Sequence, residues 1–140
     1  MKATRRNARE WAIQMLTAAD LNPPGDLAAM TADFWENMVE SKPSSGLRAF
    51  AEERVAGVLS ALKEIDGILA PLLEHWDLYR LGTVERAVLR MGVWELKNTD
   101  VPKAVCINEA IDLANGFSSP KSRTLVNGVL DKVAKTVVRT

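Results

Sequence analysis

The spacing of apolar residues constrains this chain more than any other feature. Ala8, Trp11, Ala12, Met15, Leu16 and Ala19 recur at intervals of three and four, and so do Val84, Ala87, Val88, Met91 and Trp94. That spacing lines one face of a helix. No segment alternates apolar and polar residues long enough to make a convincing strand. The expected fold is all-α, a bundle of about seven helices with mostly short connections.

Local signals place the helices. Thr4 is a candidate N-cap for the first, and Asn22-Pro23-Pro24-Gly25 ends it, because proline lacks the amide that a helix needs. A second helix is expected over Leu27–Val39, with Met30, Phe34 and Met38 inward. Beyond a turn-rich loop, one long helix is expected over Leu47–Leu69, weakened locally by Gly57 and Gly67. Pro71 starts a short turn containing Leu72, Leu73 and Trp76. Leu81-Gly82-Thr83 breaks the chain, with Thr83 as N-cap of a helix reaching Lys97. The next helix spans Ala104–Ala114. Ser119 caps the last, whose first position is Pro120 and whose inner face is Leu125, Val126, Val129, Leu130 and Val133. Gly128, in mid-helix, predicts a close approach of another helix.

A chain of 140 residues reads as one domain (1–140), with helical halves of 1–79 and 80–140 packed as two sub-bundles. The only cysteine is Cys106, so no intramolecular disulfide forms, which suits the cytoplasm. No apolar run approaches the roughly 18 residues of a membrane span. Asn7, Arg9 and Glu10 interrupt the stretch where a signal peptide would be apolar.

Catalytic signatures are missing. There is one histidine, His75, and a zinc site needs about four nitrogen or sulfur ligands. Cys106 lies in a mostly buried helical pattern, which favours a small core residue over a nucleophile. The adjacent Glu52 and Glu53 point to different sides of a helix and read as a solvated face. Neither a phosphate-binding loop nor a dinucleotide-binding glycine motif occurs. The four tryptophans sit at core spacing. The expectation is a protein without catalytic activity, metal or cofactor.

Charge is distributed unevenly behind a net value of +0. Lys2, Arg5, Arg6 and Arg9 begin the chain with no acid among them, residues 10–79 hold four bases and twelve acids, and residues 80–140 hold ten bases and six acids. Two basic ends brought together in space would bind a polyanion. Arg5 and Arg9 share a helix face, and Gln14 lies on a neighbouring stripe. Guanidinium groups hold phosphates bidentately, while glutamine reaches a base edge. Positive charge at a helix N-terminus opposes the macrodipole, which points to an external anion. A second basic set is Arg80, Arg86 and Arg90, with Glu109 or Asp112 as available internal partners, and Lys121 and Arg123 begin the last helix.

These segments together resemble the NusB family of bacterial antitermination factors. The resemblance is carried by Arg5-Arg6-Asn7-Ala8-Arg9-Glu10-Trp11-Ala12, by Val84-Glu85-Arg86-Ala87-Val88-Leu89-Arg90-Met91-Gly92-Val93-Trp94-Glu95-Leu96, by Val101-Pro102 with Ile107-Asn108-Glu109-Ala110-Ile111, and by Val126-Asn127-Gly128-Val129-Leu130-Asp131-Lys132. It implies binding of the single-stranded boxA element of nascent RNA, together with NusE, a small-subunit ribosomal protein, on the RNA polymerase antitermination complex. It implies RNA contacts from Lys2, Arg5, Arg6, Arg9 and Gln14, and from Glu85, Arg90 and Lys121. Thr17 stands where the family often has tyrosine, and Leu125 where it has phenylalanine, which would cost stacking of about 1–3 kcal/mol per base. Asn108 and Asn127, both in the signature, are expected to be structural. Two alternatives come with the resemblance: a detached RNA-binding module like the N-terminal part of an RNA cytosine methyltransferase, and a homodimer that buries the RNA surface.

Overall fold

The computed structural model describes residues 3–40, 42–73, 77–117 and 120–139. Lys2, His75, Trp76 and Ser119 lie outside them. Among the described residues there are seven α-helices, two single 3₁₀ turns and no strand. No helix among them is long and apolar enough to cross a membrane.

Helix α1 (Arg5–Leu21) opens with a reciprocal capping box. The Asn7 amide donates to the Thr4 hydroxyl at 3.4 Å, and the Thr4 amide donates to Asn7 Oδ1 at 2.9 Å. Asn7 thereby fixes the turn that carries Arg5 and Arg6. Helix α2 (Leu27–Asn37) is capped by Asp26, and its anchors are the buried Phe34 and Trp35. Trp35 packs edge-on against Trp11, with centroids 5.5 Å apart, and its Nε1 donates to Glu52 at 2.8 Å. Glu52 is thus tied to the core edge, and Glu53 alone faces solvent. Met38, expected inward, is 65% exposed because α2 has ended by that point.

The single helix expected over 47–69 is two. Helix α3 (Ser45–Ser60) stops and α4 (Leu62–Leu69) restarts, with Ala61 at φ −119° between them. The Ser60 hydroxyl donates to the Gly57 carbonyl at 3.0 Å, and the Ala61 amide bonds Val58, three residues back. Such back-bonding bends a helix. The bend lets α3 and α4 both wrap helix α5 (Thr83–Asn98). Pro71 falls in a 3₁₀ turn, Ala70–Leu72. At the start of α5, Gly82 and not Thr83 is the N-cap. The Glu85 carboxylate folds back over Gly82 into the space that a Cβ there would take.

Helix α5 is the axis of the molecule. Every residue from Arg86 to Val93 is buried, as are Glu95 and Leu96. Helix α1 packs on α3 and α5, while α6 (Lys103–Phe117) and α7 (Pro120–Thr136) pack on each other and on α5. Val88, Leu89, Met91, Val93 and Leu96 meet Ile13, Val58, Leu69 and Leu130 in one core. Two cations close helix C-termini. Lys103 Nζ donates to the Ala134 and Val137 carbonyls at 2.7 and 3.3 Å, and Arg139 Nε donates to the Leu96 carbonyl at 2.8 Å. Gly128 does not mediate the expected close approach: a Cβ there would meet nothing within 4 Å. The close contacts fall at Gly57, filled by the Trp94 indole, and at Gly92, where Leu130 packs.

Candidate nucleic-acid interface

The first turn of α1 splits its arginines between solvent and core. Arg5 is exposed, with its guanidinium carbon 5.6 Å from the Phe50 ring centre. The Arg6 side chain, 50% exposed, reaches α6, where Nε donates to Glu109 at 3.0 Å and Nη2 to Asp112 at 2.8 Å. The Glu109 hydrogen bond is the largest influence raising its pKa, so the cation is secure. Arg9 turns inward and is 4% exposed.

There Arg9 joins a buried triad. Its Nε and Nη2 donate to Glu95 at 3.0 and 2.8 Å, and Arg54 Nη2 donates to the same carboxylate at 3.1 Å. Burial pulls down the pKa of both arginines. For Arg9 the Glu95 hydrogen bond and charge outweigh burial, leaving it raised; for Arg54 burial wins, aided by the charge of Arg9. Phe50 completes the cluster, with the Arg54 guanidinium carbon 3.4 Å from its ring centre.

Arg90 and its neighbour Arg86 are internal as well. Arg90 Nε and Nη2 donate to Asp66 at 2.9 and 2.8 Å, and Arg86 Nη2 donates to Asp20 at 2.5 Å. Burial lowers the Arg90 pKa, but the Asp66 hydrogen bond and charge reverse this, so it ends raised. The partners of this set are Asp20 and Asp66; Glu109 and Asp112 serve Arg6 instead. Arg9 and Arg90, both expected to contact RNA, are themselves buried, Arg9 against the buried Glu95 and Arg90 against the partly buried Asp66 and Asp20. The periodicity of α5 predicted one buried face, but the helix is enclosed on all sides, and its charged residues must pair within the core.

The remaining expected residues lie at the surface. Gln14 is exposed but lines no groove with Arg5 or Arg6. Lys121 is exposed, and Glu85 is half-buried, accepting from the Ser122 hydroxyl at 2.6 Å. Thr17, in place of the expected tyrosine, is half-buried, and its hydroxyl has no hydrogen-bond partner among the described residues.

Three grooves join these surface residues. The first, of 650 Å³, lies between the start of α1 and the start of α6, and its lining includes Arg5, Arg6, Arg9, Val105 and Glu109. The second, of 460 Å³, runs between α6 and α7 and is lined by Asn108, Asp112, Arg123, Thr124 and Asn127. The third, of 600 Å³, lies where α5 and α7 begin and is lined by Arg80, Glu85, Lys121, Thr124 and Leu125. Arg6 links the first two, because it binds Glu109 in one and Asp112 in the other. Thr124 belongs to both the second and the third. Arg5, Arg80, Lys121 and Arg123 are exposed along this path, and none has an ion-pair partner among the described residues. The two basic ends of the sequence thus meet on one face. Asn108 and Asn127 are exposed in its middle, not structural as the motif suggested. Their mid-helix position was the available signal, because a capping residue sits at an end.

Comparison with known proteins follows the same outline. The NusB family model matches residues 6–135. A transcription antitermination protein NusB from a Nitratiruptor species is 42% identical over 135 residues, covering 96% of this chain and 94% of the relative. One from Yersinia enterocolitica is 43% identical over 136 residues, covering 96% of this chain and 95% of the relative. The structure is similar to T. maritima NusB with a TM-score of 0.85 and 30% identity, over 98% of this chain and 94% of that one. It is also similar to a chain in a crystal structure of antitermination factors NusB and NusE in complex with dsRNA, with a TM-score of 0.76 and 27% identity, over 94% of this chain and 96% of that one. The helical bundle, the groove-lined face and these likenesses agree: the chain belongs to the NusB family.

Proposed function

We propose that this protein is a transcription antitermination factor that captures single-stranded boxA-type RNA on the α1–α6–α7 face, together with NusE, within the RNA polymerase antitermination complex. It acts in the cytoplasm and makes or breaks no bond itself. The observation that carries the reading is the chain of three grooves edged by Arg5, Arg80, Lys121 and Arg123. Unpaired exposed cations along a connected path suit a polyanionic strand. The relatives named as antitermination proteins, and the neighbour solved with NusE and dsRNA, support an antitermination factor that binds RNA with NusE.

The direct contacts are Arg5, Arg6 and Lys121, joined by Arg80 and Arg123 and, where the chain begins, by Lys2. Glu85 orients Ser122 beside Lys121. Arg9 and Arg90 hold the scaffold beneath. Phosphate capture releases counterions, so log affinity falls with log salt at about 0.7 per phosphate neutralised on a single strand. The test is a gel shift of boxA-type and scrambled RNA at several salt concentrations, with and without NusE, for wild type and the Arg5→Ala/Arg123→Ala double variant. The variant is expected to bind every RNA more weakly, with a slope shallower by about one to two phosphates. Equal affinity and slope in both proteins would refute the assignment.

A further inference from the structure

The groove between α6 and α7 has a composition that a phosphate-binding track does not need. Asn108 projects from α6 and Asn127 from α7, both exposed. Neither carboxamide has a hydrogen-bond partner among the described residues, and neither stands at a helix end where it would cap. The exposed Asp112, one oxygen of which accepts from Arg6 at 2.8 Å, and the partly buried Ile111 line the groove with them. A carboxylate in the groove repels a phosphate but accepts from an exocyclic amine. A carboxamide presents a donor beside an acceptor, the pattern that pairs with a base edge carrying both. The cations are distributed around it: Arg123 lines this groove, Arg5 and Arg6 line the one between α1 and α6, and Lys121 lines the one where α5 and α7 begin.

From this division we propose that Asn108 and Asn127, assisted by Asp112, read base edges, while the flanking cations hold the backbone. The inference rests on the RNA-binding reading above and adds to it the source of sequence choice. The strand runs with its phosphates along Arg5, Arg123 and Lys121 and turns its bases into the groove. The bases favoured are those that offer Asp112 an exocyclic amine: adenine, cytosine and guanine. Uracil has none and presents carbonyl oxygens beside its single ring N–H, so it is the base disfavoured.

The experiment measures fluorescence anisotropy of a labelled boxA-type RNA and of oligouridine of equal length, for wild type, Asn108→Ala/Asn127→Ala and Arg5→Ala/Arg123→Ala, with thermal melts to confirm folding. Both asparagines are exposed, so the first variant is expected to melt like wild type. It is expected to lose about tenfold of the preference for boxA-type RNA over oligouridine, with its oligouridine affinity and salt slope unchanged. A preference within twofold of wild type overturns the proposal. So does a variant that binds both RNAs normally but no longer retains NusE in a pull-down, which would assign the groove to a protein. If the arginine variant also binds both RNAs as wild type does, the RNA-binding reading itself fails, and that outcome is distinct from a loss of discrimination.

Discussion

Arg9 on α1 and Glu95 on α5 form a two-pronged ion pair, at 3.0 and 2.8 Å, with both side chains at most 5% exposed. The pair joins the first helix to the central one, 86 residues apart in the chain. Glu95 also serves Arg54 of α3, so one carboxylate ties three helices together. Removing one member of a buried pair strands the other charge in the core, at a cost of about 3–5 kcal/mol.

Arg9→Ala and Glu95→Gln are therefore expected to lower unfolding free energy by about 3 kcal/mol or more in a urea titration. Glu95→Gln leaves two buried guanidiniums without a full counter-charge and should be the worse of the two. At temperatures where Arg9→Ala remains folded, its salt slope for RNA should equal that of wild type. A shallower slope would return Arg9 to the set of phosphate contacts.

Arg6 is held by two carboxylates in a partly exposed site, where ion pairs contribute little to stability. Glu109→Gln/Asp112→Asn should change unfolding free energy by less than about 1 kcal/mol. The same change frees Arg6 and removes two negative charges from the RNA face. Affinity for oligouridine, which does not use Asp112, should rise and its salt dependence steepen, as anisotropy titrations from low to moderate salt would show.

Glycines in this fold differ in the space around them. Gly128→Ala meets open space and should stabilise the protein by about 0.5–1 kcal/mol through helix propensity. Gly57→Ala places a methyl group where the Trp94 ring lies, and a rigid indole cannot yield at its near end. It should destabilise by about 1–3 kcal/mol despite the same propensity gain. Thermal melts of the two variants should therefore move in opposite directions.

Cys106 is 1% exposed, and burial, followed by the charge of Glu95, pushes its thiol pKa up from the ordinary 9.0. In the native state it should resist alkylation at pH 8 and react at the rate of global opening. The folded pKa is the higher one, so the thiol's contribution to stability is complete below the unfolded value and declines as pH rises through the folded value. Urea midpoints of wild type and Cys106→Ala should accordingly converge or cross above about pH 9.

Much of this molecule follows from local chemistry. Thr4, Asp26 and Pro120 mark helix starts by which groups they can satisfy, and Pro23-Pro24 marks a stop. The three-and-four spacing of apolar residues identifies the faces that pack, and the motif around Arg5 and Ile107–Ile111 identifies the family. These are short-range effects, governed by hydrogen bonds within a turn and by the pitch of a helix. What only tertiary structure decided is which charges face water. Arg5, Arg6 and Arg9 look alike in sequence. One is exposed, one is clasped by α6 and one is buried, because the deciding carboxylates, Glu95, Glu109 and Asp112, lie 86 to 106 residues away. The same holds for Arg90, buried by Asp20 and Asp66, and for Asn108 and Asn127, left unpaired where α6 meets α7. Burial of a charge depends on a partner that the fold delivers, and no local pattern specifies where a distant carboxylate will arrive.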